Sequence, residues 1–130
     1  MEALEKASKD DDPHVKVSAL GRLTSPDAPA KERAEALDRL EAIAGRKEDA
    51  RLASRARQLL ASARDVRVQA WIEEDLGSDD GAVRLAAVGA LVALGRASRA
   101  APVLADADPG VRTQGACALI LAARLRSPRR

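Results

Sequence analysis

The chain has 130 residues, 46% hydrophobic, 32% charged and 1% aromatic, with 22 Lys and Arg against 20 Asp and Glu for a formal net charge of +2. That length suits one domain able to bury a core without staples, and the apolar fraction excludes a disordered chain. The near-balance of charge sets up no strong field for polyanions; a lone cysteine, Cys117, excludes an internal disulfide, and a lone histidine, His14, excludes a zinc site built with it.

Ala, Leu, Arg and Glu favour helices, whereas Tyr and Phe are absent and no stretch alternates with period two, so the expected class is all-α. The first predicted helix is Glu2 to Lys9, with Ala3, Leu4 and Ala7 on one face. Asp12-Pro13 then opens a helix reaching Leu23. The breaker Ser25-Pro26-Asp27-Ala28-Pro29 precedes a helix from Lys31 to Ala44, which Gly45 ends. Asp49 opens the next helix, to Leu60. A helix from Arg64 to Leu76 follows, carrying Val68, Trp71 and Ile72, and stops at Gly77. Asp80 opens a helix to Leu91, a short helix spans Ser98 to Ala105 with Pro102 in its first turn, and Asp108-Pro109 opens the last.

Four of these segments superimpose: Asp12 to Leu23, Asp49 to Leu60, Asp80 to Leu91 and Asp108 to Leu119. Each reads Asp, two small or loop residues, an aliphatic, three variable positions, Ala or Gly, three more, then Leu. The aliphatic, small and Leu positions fall at i, i+4 and i+8, one stripe of a helix, and each Asp is placed to cap free N–H groups. The copies begin 28 to 37 residues apart, the period of a helical solenoid. Four units result, about 1–25, 26–62, 63–95 and 96–126, with a basic tail at 127–130 and one domain over 1–130.

The run from Ala100 to Arg112, with Pro102-Val103-Leu104 followed by Asp106-Ala107-Asp108-Pro109-Gly110-Val111-Arg112, resembles the HEAT repeat family, especially its short bacterial form. The resemblance covers nearly the whole chain and implies a right-handed α-solenoid of about four helix pairs. It also implies a ladder in which the turn Asp and the second-helix Arg join neighbouring units. Asp106 and Arg112 occupy those places, Asp10 and Lys16 are a conservative version, and the third copy has Ser78 with Arg84. The second copy departs, with Lys47 and Ala53, and rests on its apolar stripe.

Little here resembles a catalytic constellation. His14 belongs to a turn the repeat requires, Cys117 reads as a small packed residue, and the acids Glu73, Glu74, Asp75, Asp79 and Asp80 match helix-end chemistry better than a calcium loop. No glycine-rich phosphate loop is present. The expectation is a non-enzymatic, cytoplasmic chain with no cofactor and no metal. No apolar run suits a membrane span, and Met1 to Lys9 does not read as a signal peptide.

The functional expectation is a protein-binding adaptor or scaffold. Opposite the core stripe, the second helices carry Val17, Gly21 and Thr24; Ser54, Gln58 and Ala61; Leu85, Gly89 and Val92; Thr113, Cys117 and Ile120. The resemblance implies that this small, apolar strip lines a concave surface. With Arg96 and Arg124 toward one end, it suits another protein's amphipathic segment, unless curvature buries it. The binding positions expected are thus Val17, Thr24, Gln58, Leu85, Val92, Arg96, Thr113, Ile120 and Arg124. The last helix has no charge between Arg112 and Arg124, which points to a covered edge and a possible homodimer. The alternative is a nucleic-acid binder, since seven Arg and two Asp lie between Arg96 and Arg130. Some HEAT-like proteins are DNA glycosylases with tryptophans on a basic concave face, but Trp71 falls on an apolar stripe. Another HEAT-like subclass accompanies bilin attachment to antenna proteins, and no residue here carries that chemistry.

Overall fold

A computed structural model describes residues 12–126, so the helix expected at Glu2 to Lys9 and the basic tail at 127–130 lie outside the described residues. Among the described residues every regular element is helical. They are α1 (Pro13–Leu23), α2 (Ala30–Ala44), α3 (Ala50–Ser62), a 3-10 turn (Val66–Val68) running into α4 (Gln69–Asp75), α5 (Gly81–Ala93), a 3-10 segment (Ala97–Ala105) and α6 (Pro109–Arg126).

The four repeated aspartates start their helices. Oδ1 of Asp12, Asp49, Asp80 and Asp108 accepts from the backbone N–H of His14, Leu52, Ala82 and Gly110 at 2.9, 3.1, 2.9 and 2.8 Å. Those N–H groups have no intrahelical acceptor, so each cap satisfies a donor that would otherwise depend on water. Two helices also end alike. Arg64 and Gly95 take left-handed backbone angles, φ 59° and 81°. Behind them Asp65 N–H donates to Leu60 O at 2.9 Å and Arg96 N–H to Leu91 O at 2.7 Å, closing the carbonyls of α3 and α5.

Two expected helices are altered. The helix expected from Arg64 to Leu76 starts later, because Arg64 terminates α3 and Asp65 caps the 3-10 turn by accepting from Arg67 N–H at 3.1 Å. The α-helix expected from Ser98 to Ala105 is a 3-10 segment instead. Pro102 lies inside it and has no N–H to donate, which in so short an element removes a large share of the i to i−4 ladder.

Most of the repeated stripe is core. Leu52, Ala56 and Leu60 of α3, Ala87 and Leu91 of α5, and Val111 of α6 are buried, together with Leu20, Leu40 and Ile72. Val15, the first aliphatic of the first copy, is exposed instead. Each fully buried Leu or Ile contributes roughly 1.5–3 kcal/mol relative to exposure. Packing runs in series: α1 lies on α3, α3 on α5 and α5 on α6, while α2 contacts both α1 and α3. The element Val66–Asp75 spans α3 and α5, and the 3-10 segment spans α5 and α6.

Small residues set the closest approaches. A Cβ built on Gly21 would stand 2.9 Å from the Leu59 methyl carbons, which brings α1 tight against α3. On Gly115 it would stand 2.5 and 2.8 Å from the γ carbons of Val103, so α6 touches the 3-10 segment almost backbone to side chain. At the middle of the chain Arg57 acts as a clamp. Its Nε donates to Ala44 O at 2.9 Å, it pairs with Asp75, and its guanidinium lies 5.7 Å from the centre of the Trp71 ring. Trp71 is accordingly half-buried and packed against the core.

Candidate protein-binding surface

The face opposite the core stripe has a different fate on each helix. On α1 the strip is closed: Val17 is wholly buried, Gly21 meets Leu59, and half-buried Thr24 turns its Oγ1 back to donate to Gly21 O at 2.6 Å. Val17 is therefore a core residue and not an exposed binding position. On α3, Ser54 and Gln58 are half-buried and Ala61 is buried. On α5, Leu85 and Val92 are half-buried around exposed Gly89. On α6, Thr113 and Cys117 are exposed and Ile120 is 53% exposed.

The strip thus opens from the first copy toward the last. Close helix approach accompanies the closed end, where Gly21 lets α1 come up against Leu59 of α3. Leu85 and Val92 share a packed helix pair with Thr113 and Ile120, whereas Val17, Thr24 and Gln58 belong to the other end of the series. Arg96 and Arg124 are exposed, Arg96 beyond the end of α5 and Arg124 near the end of α6. Cys117, expected to be packed, faces outward instead.

The apolar surface extends beyond the expected strip. Leu121, inside the charge-free stretch between Arg112 and Arg124, is 58% exposed, and Leu125, between Arg124 and Arg126, is 88% exposed. Leu104, on the 3-10 segment, is exposed too. No spacing in the sequence singles out Leu104, which belongs to neither the repeated stripe nor the strip opposite it.

A charged tie holds this end together. Arg84 Nε and Nη2 donate to Asp106 Oδ2 and Oδ1 at 2.7 and 3.0 Å, the fork-to-fork geometry in which guanidinium and carboxylate bind best. The remaining Nη1 donates to Ser78 O at 2.9 Å, and Arg112 Nη1 donates to Asp106 O at 2.7 Å. Arg84 and Arg112 therefore each bond the carbonyl six residues earlier, and Arg84 also crosses to the next copy. The Arg84 guanidinium, with the Asp108 N–H, holds the Asp106 carboxyl below its ordinary range, and Asp106 raises Arg84 in turn.

Three of the candidate acids have partners within the fold. Asp75 pairs with Arg57, Glu73 lies 3.6 Å from Arg99, and Asp80 caps α5. His14 and Cys117 sit at the two ends of the helix series, on α1 and α6. Among the described residues no group of three or more His, Cys, Asp or Glu is arranged to hold a metal ion, and no helix is long and apolar enough to cross a membrane. Compared with family models, curated proteins and solved structures, the chain matches none.

Proposed function

We propose that this chain is a protein-binding adaptor or scaffold, built as a short HEAT-like solenoid, that works without catalysis in the cytoplasm. One observation carries the reading: Ile120 and Leu121 stand exposed within the charge-free stretch of α6 between Arg112 and Arg124, and Leu125, between Arg124 and Arg126, is exposed just beyond it. Fully covering a Leu or Ile contributes roughly 1.5–3 kcal/mol, so a partner seated on these three gains several kcal/mol from them alone. The solenoid part of the reading is supported by the four Asp-capped copies, the serial packing of their helices, and the Arg84–Asp106 tie between successive copies.

The binding face comprises Val92, Thr113 and Ile120, continued by Leu121 and Leu125, with Arg96 and Arg124 beside it. An amphipathic segment of another protein fits this chemistry, and a second copy of the chain is the simplest such partner, since one patch then serves both molecules. Sedimentation across a concentration series, and affinity capture with the chain as bait, test the two forms. Leu121→Glu and Leu125→Glu should keep the melting temperature, because both positions are exposed, and should abolish self-association or retention of the captured protein. Retention should change little between low and moderate salt. A clean monomer that captures nothing removes the reading. Steeply salt-dependent retention on DNA or RNA, lost when Arg96 and Arg124 become Ser, replaces it with nucleic-acid binding.

A further inference from the structure

One side of α6 packs inward, with Val111 against Gly81 of α5 and Gly115 against Val103 of the 3-10 segment. The other side is exposed along most of the helix. Gly110, Thr113, Cys117, Ile120 and Arg124 all lie there, three and four residues apart, inside a helix that runs from Pro109 to Arg126. That spacing draws one seam along the helix, the kind by which two helices lie side by side. Leu121 and Leu125 flank the seam and are exposed as well.

Side-chain size runs in one direction along the seam. Its first half carries Gly110, Thr113 and Cys117, its second half Ile120, Arg124 and the two flanking leucines. Two helices pack without gaps when the side chains between them sum to about the same thickness throughout. A parallel second copy sets large on large at one end and small on small at the other. An antiparallel copy reverses the order, so that Ile120 lies over its counterpart's Cys117 and Arg124 over its Thr113. Charge selects the same direction. Arg124 is the one ionised side chain on the seam, and it enters none of the ion pairs formed among the described residues. Parallel helices bring the two Arg124 together, and no acid follows Asp108 in the sequence to separate them. At the start of α6, Asp80, Asp106 and Asp108 act on Arg84, and Arg112 is the second cation beside Asp106. Three carboxylates against two guanidinium groups leave one negative charge in excess, and an antiparallel copy brings its Arg124 to that end.

We infer that the occupant of this face is a second copy of the chain, docked α6 against α6 in antiparallel sense about a twofold axis that passes between Cys117 and Ile120. The inference rests on the α6 binding face proposed above and adds its occupant and its geometry. A helix of an unrelated protein needs no reversed match of size and charge, whereas this seam matches itself when turned end for end. One patch serves both chains, so association closes at two and does not extend.

Crosslinking of single-cysteine chains with a short bismaleimide tests the geometry. In a Cys117→Ser background, Thr113→Cys and Arg124→Cys each place one thiol on the seam. All three positions are exposed, so melting temperature should hold and keep loss of pairing distinct from loss of fold. Neither variant should crosslink well alone, because equal positions of the two copies stand roughly 16 Å apart along the helices. Mixed, the two variants should crosslink to each other several-fold faster. Sedimentation of the parent chain from about 10 μM to about 1 mM should show monomer and dimer with no larger species, and Leu121→Glu should leave monomer. Either variant crosslinking with itself as fast as with the other overturns the antiparallel pairing, and open-ended polymers overturn the twofold. A monomer at about 1 mM overturns the second copy as occupant. The adaptor reading survives that last result if the monomeric chain retains a different protein and loses it with Leu121→Glu, and falls with it if affinity capture returns nothing.

Discussion

Replacing glycine by alanine should change stability in opposite directions at two helical positions of this chain. Gly89, inside α5, has nothing within 4 Å of the site a Cβ would occupy, so Gly89→Ala should collect the ordinary helix-propensity gain of about 0.8–1 kcal/mol. Gly115, inside α6, gains the same propensity but places its new methyl 2.5 and 2.8 Å from both γ carbons of Val103 and 3.2 Å from its Cβ. Val is branched at Cβ and stiff in χ1, so no rotation clears all three contacts and the 3-10 segment must move instead. Overpacking of this kind costs about 1–3 kcal/mol, which at three such short contacts outweighs the propensity gain and leaves a net loss of up to roughly 2 kcal/mol. For a domain of this size that is a fall of several degrees in melting temperature against a rise of a few degrees for Gly89→Ala. The cycle closes with Val103→Ala. Alone it should destabilise by opening a small cavity, but combined with Gly115→Ala the loss should be well short of the sum, since each change relieves the other. Thermal melts of the four proteins provide the measurement. If Gly115→Ala stabilises as much as Gly89→Ala, or the Val103 pair is additive, then α6 and the 3-10 segment do not approach as described.

Arg64→Gly should raise stability by about 0.5–1 kcal/mol, because an L-residue at φ 59° costs more than the backbone entropy of glycine; Gly95→Arg, at the matching position after α5, should lower it, and denaturant midpoints decide both. Acidification should loosen the α5–α6 end. The folded chain holds Asp106 below its unfolded value of 3.8, so the stabilisation is complete above that value and disappears as pH falls through the lower, folded one. Asp65, held down chiefly by its hydrogen bond from Arg67, behaves in the same sense. Melts from about pH 7 to about pH 2 should therefore show the gap between the parent and Asp106→Asn narrowing as acid is added; a constant gap would refute the role given to the carboxylate.

Local chemistry was written openly in this sequence. Asp12, Asp49, Asp80 and Asp108 mark their helix starts because a cap involves residues two or three apart, and the Leu52-Ala56-Leu60 stripe marks a buried face because a helix repeats its facing within eight residues. The strip opposite that stripe was legible as a list of small and apolar residues, but not as a surface. Val17 and Ile120 belong to the same strip and have opposite fates: one is wholly buried, the other 53% exposed. The difference lies in how closely neighbouring helix axes approach, and that is settled by contacts such as Gly21 with Leu59, between residues far apart in the chain. The same holds for the Arg84–Asp106 fork. Spacing along one helix reports which residues share a face, whereas the distance between two helices depends on every side chain between them, and only the packed chain decides it.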